Sequence, residues 1–134
     1  MDKDKQPGIK CDSIILAESV FKRLPQLTGS ENVNLSMEVN NTFSDDKKTL
    51  QTILAVHVNT ENDPIYFKVV YVGLFSVSEE QNMELEEFAK SNAPAIMFPY
   101  IREEIHSKML KASLPKSIII PPINIGVLVQ ENKK

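Results

Sequence analysis

Two apolar runs, TLQTILAVHV at 49–58 and IYFKVVYVGLFSV at 65–77, are separated only by the polar segment NTENDP at 59–64. With no helix between them, the pair predicts antiparallel strands joined by a short turn. In the first run Leu54, Val56 and Val58 alternate with Ile53, Ala55 and His57, the period of a strand. The second is apolar on both faces from Val69 onward, as suits a central strand covered on both sides. Gly73 in its interior marks a bulge or a close backbone approach. Upstream, VNLSMEV at 33–39 sets Val33, Leu35, Met37 and Val39 on one face and Asn34, Ser36 and Glu38 on the other. NNTFSDDKK at 40–48 carries the polar residues of a hairpin turn. SIILAESVF at 13–21, extending as far as Arg23, reads as a first strand. LPQLTGSE at 24–31, with Pro25 and Gly29-Ser30, makes the chain turn or cross over.

Helical signals follow. Ser78-Glu79-Glu80-Gln81 fits a capping box that opens a helix carrying Met83, Leu85 and Phe88 inward, ended by SNAP at 91–94. A second helix is expected over 99–112, with Pro99 at its first position and Ile101, Ile105, Met109 and Leu110 on a buried stripe. Pro121-Pro122 then imposes an extended path. The pattern predicts an α+β domain: a four-stranded antiparallel meander with two helices packed on one face. That domain is expected to occupy 11–130, between a loose tail at 1–10 and a short one at 131–134.

Composition narrows the function. With 15 Lys and Arg against 18 Asp and Glu, the net charge of −3 argues against a nucleic-acid surface. The start MDKDKQPGIK lacks the apolar core of a signal peptide and no run is long enough to span a bilayer, so a cytoplasmic protein without membrane insertion is expected. Cys11 is the sole cysteine, which rules out an internal disulfide and a thiolate metal cluster. His57 and His106 have no paired acid at a useful spacing, and the four glycines are too scattered to build a phosphate loop. These features point away from an enzyme and away from a metal or other cofactor.

FPYIREEI at 98–105 places two aromatics around a proline at a helix start. Two readings stand: Phe98 tucks into the core as a hydrophobic staple, or Phe98 and Tyr100 help line an apolar groove.

The longer segment APAIMFPYIREEIHSKMLKASLPKSIIIPPINI at 93–125 resembles the C-terminal half of the bacterial export chaperone family SecB, through Phe98, Pro99, Tyr100, Arg102, Glu103, Pro115, Pro122 and Asn124. VGLFSV at 72–77 resembles a strand end of that family through Gly73, Phe75 and Ser76. The resemblance spans about residues 13–129 and implies an ATP-independent holdase for unfolded polypeptides, assembled as a tetramer from two dimers. Carried onto this chain, the client groove would include Val33, Leu35, Met37, Phe98, Tyr100, Leu128 and Val129.

The family also hands clients to the translocase motor SecA through an acidic sheet face. Glu18 matches one acidic position there, whereas Lys22 and Lys68 reverse two others, so SecA docking should be weakened. IGVLVQENKK replaces the family's C-terminal helix, and Lys111-Ala112-Ser113 lacks the family's glycine. SecB-like relatives dedicated to one partner, such as an antitoxin, offer the alternative role. A scaffold for one folded partner, or a small-molecule site at His57 or His106, are the rival readings.

Overall fold

The computed structural model describes residues 8–28, 31, 33–78 and 81–113. Four strands, β1 (Ile9–Arg23), β2 (Leu35–Phe43), β3 (Thr49–Val58) and β4 (Ile65–Val77), form one antiparallel sheet in the order β1-β4-β3-β2. The last three strands are a meander, as expected. β1 departs from it: the chain crosses from Arg23 to Leu35 so that β1 pairs with β4, a Greek-key order. β1 begins at Ile9, inside the stretch expected to be a loose tail, and β2 runs on to Phe43 through part of the expected turn.

The sheet has a covered face and an open one. Odd-numbered β4 residues pair in register with even-numbered β3 residues, Phe67 with Val58 and Val69 with Val56, and these side chains are fully buried. The intervening Lys68, Val70, Val72 and Leu74 are only half-buried on the opposite face. β1 shifts register between Cys11 and Ser13 and again between Leu16 and Glu18. Such irregularities are usual on edge strands. The second shift sends Leu16 to the covered face beside Tyr71 and Glu18 to the open face beside Val70.

A single helical run lies across the covered face, in place of the two helices expected. It comprises α1 (Leu85–Glu87), a π-helical turn (Phe88–Asn92) and α2 (Ala93–Ala112). Ser78 does not cap it; its hydroxyl donates to the Gly8 carbonyl at 2.7 Å, fastening the end of β4 to the start of β1. SNAP does not end the helix, because the π turn bridges it: the Ala93 N–H donates to the Phe88 carbonyl five residues back, directly before Pro94. A widened turn relieves the clash that a proline ring makes with the preceding turn. Pro99 is likewise inside α2, one turn after Ala95. Both are exposed, so water can serve the carbonyl that Pro99 leaves without a donor.

Ala93, Met97, Phe98, Ile101 and Ile105 form the buried stripe of α2. Each large apolar side chain buried here contributes roughly 1.5–3 kcal/mol. Leu110 does not join the stripe and is 83% exposed. Nine residues at about 100° each turn it to the side opposite Ile101. Gly73 lets the helix approach the sheet: a Cβ there would lie 2.8 Å from the Met97 sulfur. The sequence expectation of a close approach at this glycine is met.

Candidate functional site

Among the described residues, six of the eight large apolar side chains left exposed stand in two places. At the end of the sheet where β1 finishes and β2 begins stand Leu24 (53% exposed), Val33 (46%) and Leu35 (38%). Alongside the outer margin of α2 stand Ile96, Tyr100 and, across on β1, Leu16. Tyr100 packs against Tyr71 with ring centroids 5.9 Å apart, and Leu16 is the register partner of Tyr71. Burial raises the pKa of the Tyr71 hydroxyl, with smaller contributions from Glu104 and Glu103 on α2.

Of the groove residues expected from sequence, Val33 and Leu35 adjoin at the sheet end and Tyr100 lies apart from them on α2. Met37 and Phe98 are 2% and 3% exposed and belong to the core. The helix covers the sheet face from which Met37 projects, and Phe98 is the inward member of the Phe-Pro-Tyr turn. Phe98 is in the core, as one reading expected, but it lies inside α2 rather than before a helix start, so it is not a hydrophobic staple. Leu128 and Val129 lie outside the described residues.

Asn59 holds the sheet end together. It adopts φ 64°, a left-handed conformation that asparagine tolerates better than most residues. Its side-chain oxygen accepts from the Asn34 N–H at 2.8 Å, and its own N–H donates to the Asn34 carbonyl at 2.8 Å. Its side-chain nitrogen donates to the Ile65 carbonyl at 3.0 Å. Asn34 separates Val33 from Leu35, so this one residue ties the starts of β2 and β4 and steadies both apolar side chains.

Arg23 does the same for the neighbouring corner. Its Nη1 donates to the carbonyl of Ala112 at 2.6 Å and of Ser113 at 3.3 Å, at the end of α2. Nε donates to the Leu24 carbonyl at 2.9 Å and Nη2 to the Pro25 carbonyl at 3.2 Å. A cation at a helix C-terminus meets the negative end of the helix dipole and carbonyls that have no intrahelical donor. Sequence reasoning missed Arg23, Leu24 and Ile96. The basic residue directly before Leu-Pro was a visible signal, but its partners lie near residue 112.

On the open sheet face Lys68 Nζ lies 2.9 Å from Glu18 and Lys22 Nζ lies 2.7 Å from Glu61. The hydrogen bond from Lys22 lowers the Glu61 pKa, and that to Glu18 raises the Lys68 pKa. Glu18, expected to serve a partner, is thus already engaged by one of the reversed charges. Beside these pairs lie Val20, Val70, Val72 and Ile15. An open depression of about 440 Å³ at the opposite end of the sheet is lined by Asp12, Thr42, Gln51 and Leu74 among others. His57 is on the open sheet face and His106 on α2, so the fold does not bring the two histidines together. No group of three or more metal-ligating side chains occurs among the described residues. No helix among them is long and apolar enough to cross a membrane.

These features define a class: a small α+β domain whose sheet is covered by one helix on one side and bordered by bare apolar side chains. The chain belongs to the SecB family, whose model, described as preprotein translocase subunit SecB, matches residues 14–134. An uncharacterized protein of Methanocaldococcus jannaschii is 34% identical over 99 residues, 71% of this chain but 63% of that protein, less than two thirds of its length. Protein-export protein SecB 1 of Francisella tularensis subsp. novicida is 22% identical over 142 aligned positions, covering all of this chain and 95% of that protein. Among solved structures, the Mycobacterium tuberculosis SecB-like chaperone Rv1957, in complex with a peptide from the HigA1 antitoxin, superposes with a TM-score of 0.68. It is 17% identical, and the match covers 86% of this chain and 87% of that one. This likeness establishes the shared fold.

Proposed function

We propose that this chain is an ATP-independent chaperone that holds unfolded or precursor polypeptides in the cytoplasm, without covalent chemistry or a cofactor. The observation that carries the reading is the apolar margin at Leu24, Val33 and Leu35, left open in a member of the SecB family. Apolar contact is non-directional, so such a margin accepts many sequences. The test is aggregation of a chemically unfolded client with equimolar protein and no ATP. Suppression is expected, weakened by Leu35→Asp; a client that aggregates equally fast with the wild-type protein overturns the proposal.

The working form is a homo-oligomer, a tetramer by family resemblance. Ile15 and Leu16 on the edge strand, with Ile96 and Tyr100 on α2, expose more apolar surface than suits a small monomer. Sedimentation at micromolar concentration should give the tetramer, and a monomer would contradict it.

A second reading, a chaperone dedicated to one partner, is favoured by the open sheet face. There Lys68 and Lys22 are paired with Glu18 and Glu61, which lessens the acidic field that SecA docking would use. The antitoxin peptide on the M. tuberculosis protein supplies a precedent for such a client. A pull-down from the native cell separates the readings: one stoichiometric partner favours dedication, and many unrelated polypeptides favour the general holdase.

A further inference from the structure

We infer that Arg23 is a positioning residue for client capture: it clasps the start of the 24–34 crossover to the last turn of α2, holding Leu24 and Leu110 at a fixed spacing. The inference rests on the holdase reading and adds residues to it. Leu24, directly after Arg23, is 53% exposed, and Leu110, two residues before Ala112, is 83% exposed. Leu24 belongs to the same sheet end as Val33 and Leu35, so the clasp extends that apolar margin toward the helix.

Four carbonyls converge on one guanidinium, from Ala112, Ser113, Leu24 and Pro25. A requirement only to stop α2 would be met locally by glycine at 113, since Ser113 stands at φ 48° and ψ 52°, the left-handed cap that glycine adopts without strain. The helix end instead keeps a serine and takes its hydrogen bonds from a strand 89 residues away in sequence. Planar, forked donors suit this task, whereas a lysine ammonium is a single point on a flexible stem.

The rest of the fold does not depend on the clasp. The Ser19 hydroxyl donates to Glu104 at 2.6 Å, anchoring β1 to α2 two turns before the helix ends. The Leu24 N–H donates to the Pro64 carbonyl at 2.9 Å, fixing Leu24 to the β3–β4 turn. Without Arg23, therefore, the sheet and most of the helix stay in place, and only the spacing between the end of α2 and the crossover is released.

The experiment compares wild type, Arg23→Ala, Arg23→Lys and the double variant Arg23→Ala/Ser113→Gly. The probe is a fluorophore-labelled, reduced and alkylated small protein that cannot fold. Expected are an affinity about tenfold weaker in Arg23→Ala, little recovery in Arg23→Lys, and a double variant whose thermal midpoint recovers while its affinity does not. Recovery of both by glycine, or an unchanged affinity in Arg23→Ala, overturns the role by reducing Arg23 to a helix cap or less. Amide exchange at Gln26, Leu27 and Lys111–Ser113 should quicken in Arg23→Ala, while Leu24, held by the Pro64 carbonyl, should not change; unchanged exchange at the first set overturns the clasp itself. A wild-type protein that binds no unfolded chain overturns the holdase reading and this role with it, whatever the exchange shows.

Discussion

A Cβ placed on Gly73 would stand 2.8 Å from both the Met97 sulfur and the Phe75 ring. Met97 of the helix can therefore seat on β4 only because position 73 has no side chain. Gly73→Ala should destabilise the fold by about 1–3 kcal/mol, because an added methyl in a packed core forces neighbours off their rotamers. Urea denaturation measures this. Combining it with Met97→Ala should cost less than the two changes summed, since both act on the same space.

Leu35 and Met37 face the same side of β2 with opposite exposures, 38% and 2%. Leu35→Asp should change stability by no more than about 0.5 kcal/mol while weakening client binding. Met37→Asp should unfold much of the protein, because an unpaired buried carboxylate costs several kcal/mol. Thermal melts alongside the aggregation assay distinguish loss of a surface from loss of the fold.

Asn59 holds Asn34 and Ile65 by hydrogen bonds from a left-handed conformation. Asn59→Ala removes two side-chain partners and keeps a Cβ at positive φ, so a loss of about 1–3 kcal/mol is expected. Asn59→Gly should lose less than Asn59→Ala, since it relieves the backbone. Chemical denaturation of the two variants gives the order.

On the open face, Lys22→Glu with Lys68→Glu replaces one exposed and one partly exposed ion pair by like charges, which should cost stability only modestly. Its effect should appear in association: binding to purified SecA is expected to tighten about tenfold at low salt and to lose that gain as salt rises. Calorimetric titration at two ionic strengths checks it.

Asp46, Glu61, Asp63 and Glu86 all have lowered pKa values: Ser44 and Lys22 hydrogen-bond to the first two, the Thr60 backbone to Asp63 and Lys47 to Glu86. Each lowered carboxylate stabilises the fold fully above its ordinary value, 3.8 for Asp and 4.5 for Glu, and that contribution is lost as pH falls through the depressed value. The thermal midpoint should therefore hold steady from neutrality to about pH 5 and decline below it. Lys22→Ala should make that decline slightly shallower, by returning Glu61 to its ordinary range.

β3 and β4 were legible to the residue at 49–58 and 65–77, because alternation along a strand is a local record of which side is wet. The inward roles of Leu85 and Phe88 were legible from their three-residue helical spacing. The proline signals misled: Pro94 and Pro99 read as boundaries, yet a π turn and a solvent-facing position absorb them within one helical run. Of the expected groove, Leu35 and Val33 were legible as one face of a strand, but exposure was not. Met37 shares that face and is buried in the core, a difference that alternation along the strand does not record.

By itself, then, the sequence determined the strand periods, the α+β class and the family, since each rests on residues close together in the chain. Only the tertiary structure decided that β1 joins β4, that Leu110 turns outward, that Lys68 and Lys22 find Glu18 and Glu61, and that Arg23 closes on Ala112. Each of these depends on which distant segments meet. Register and crossover set those meetings, and no local periodicity encodes them.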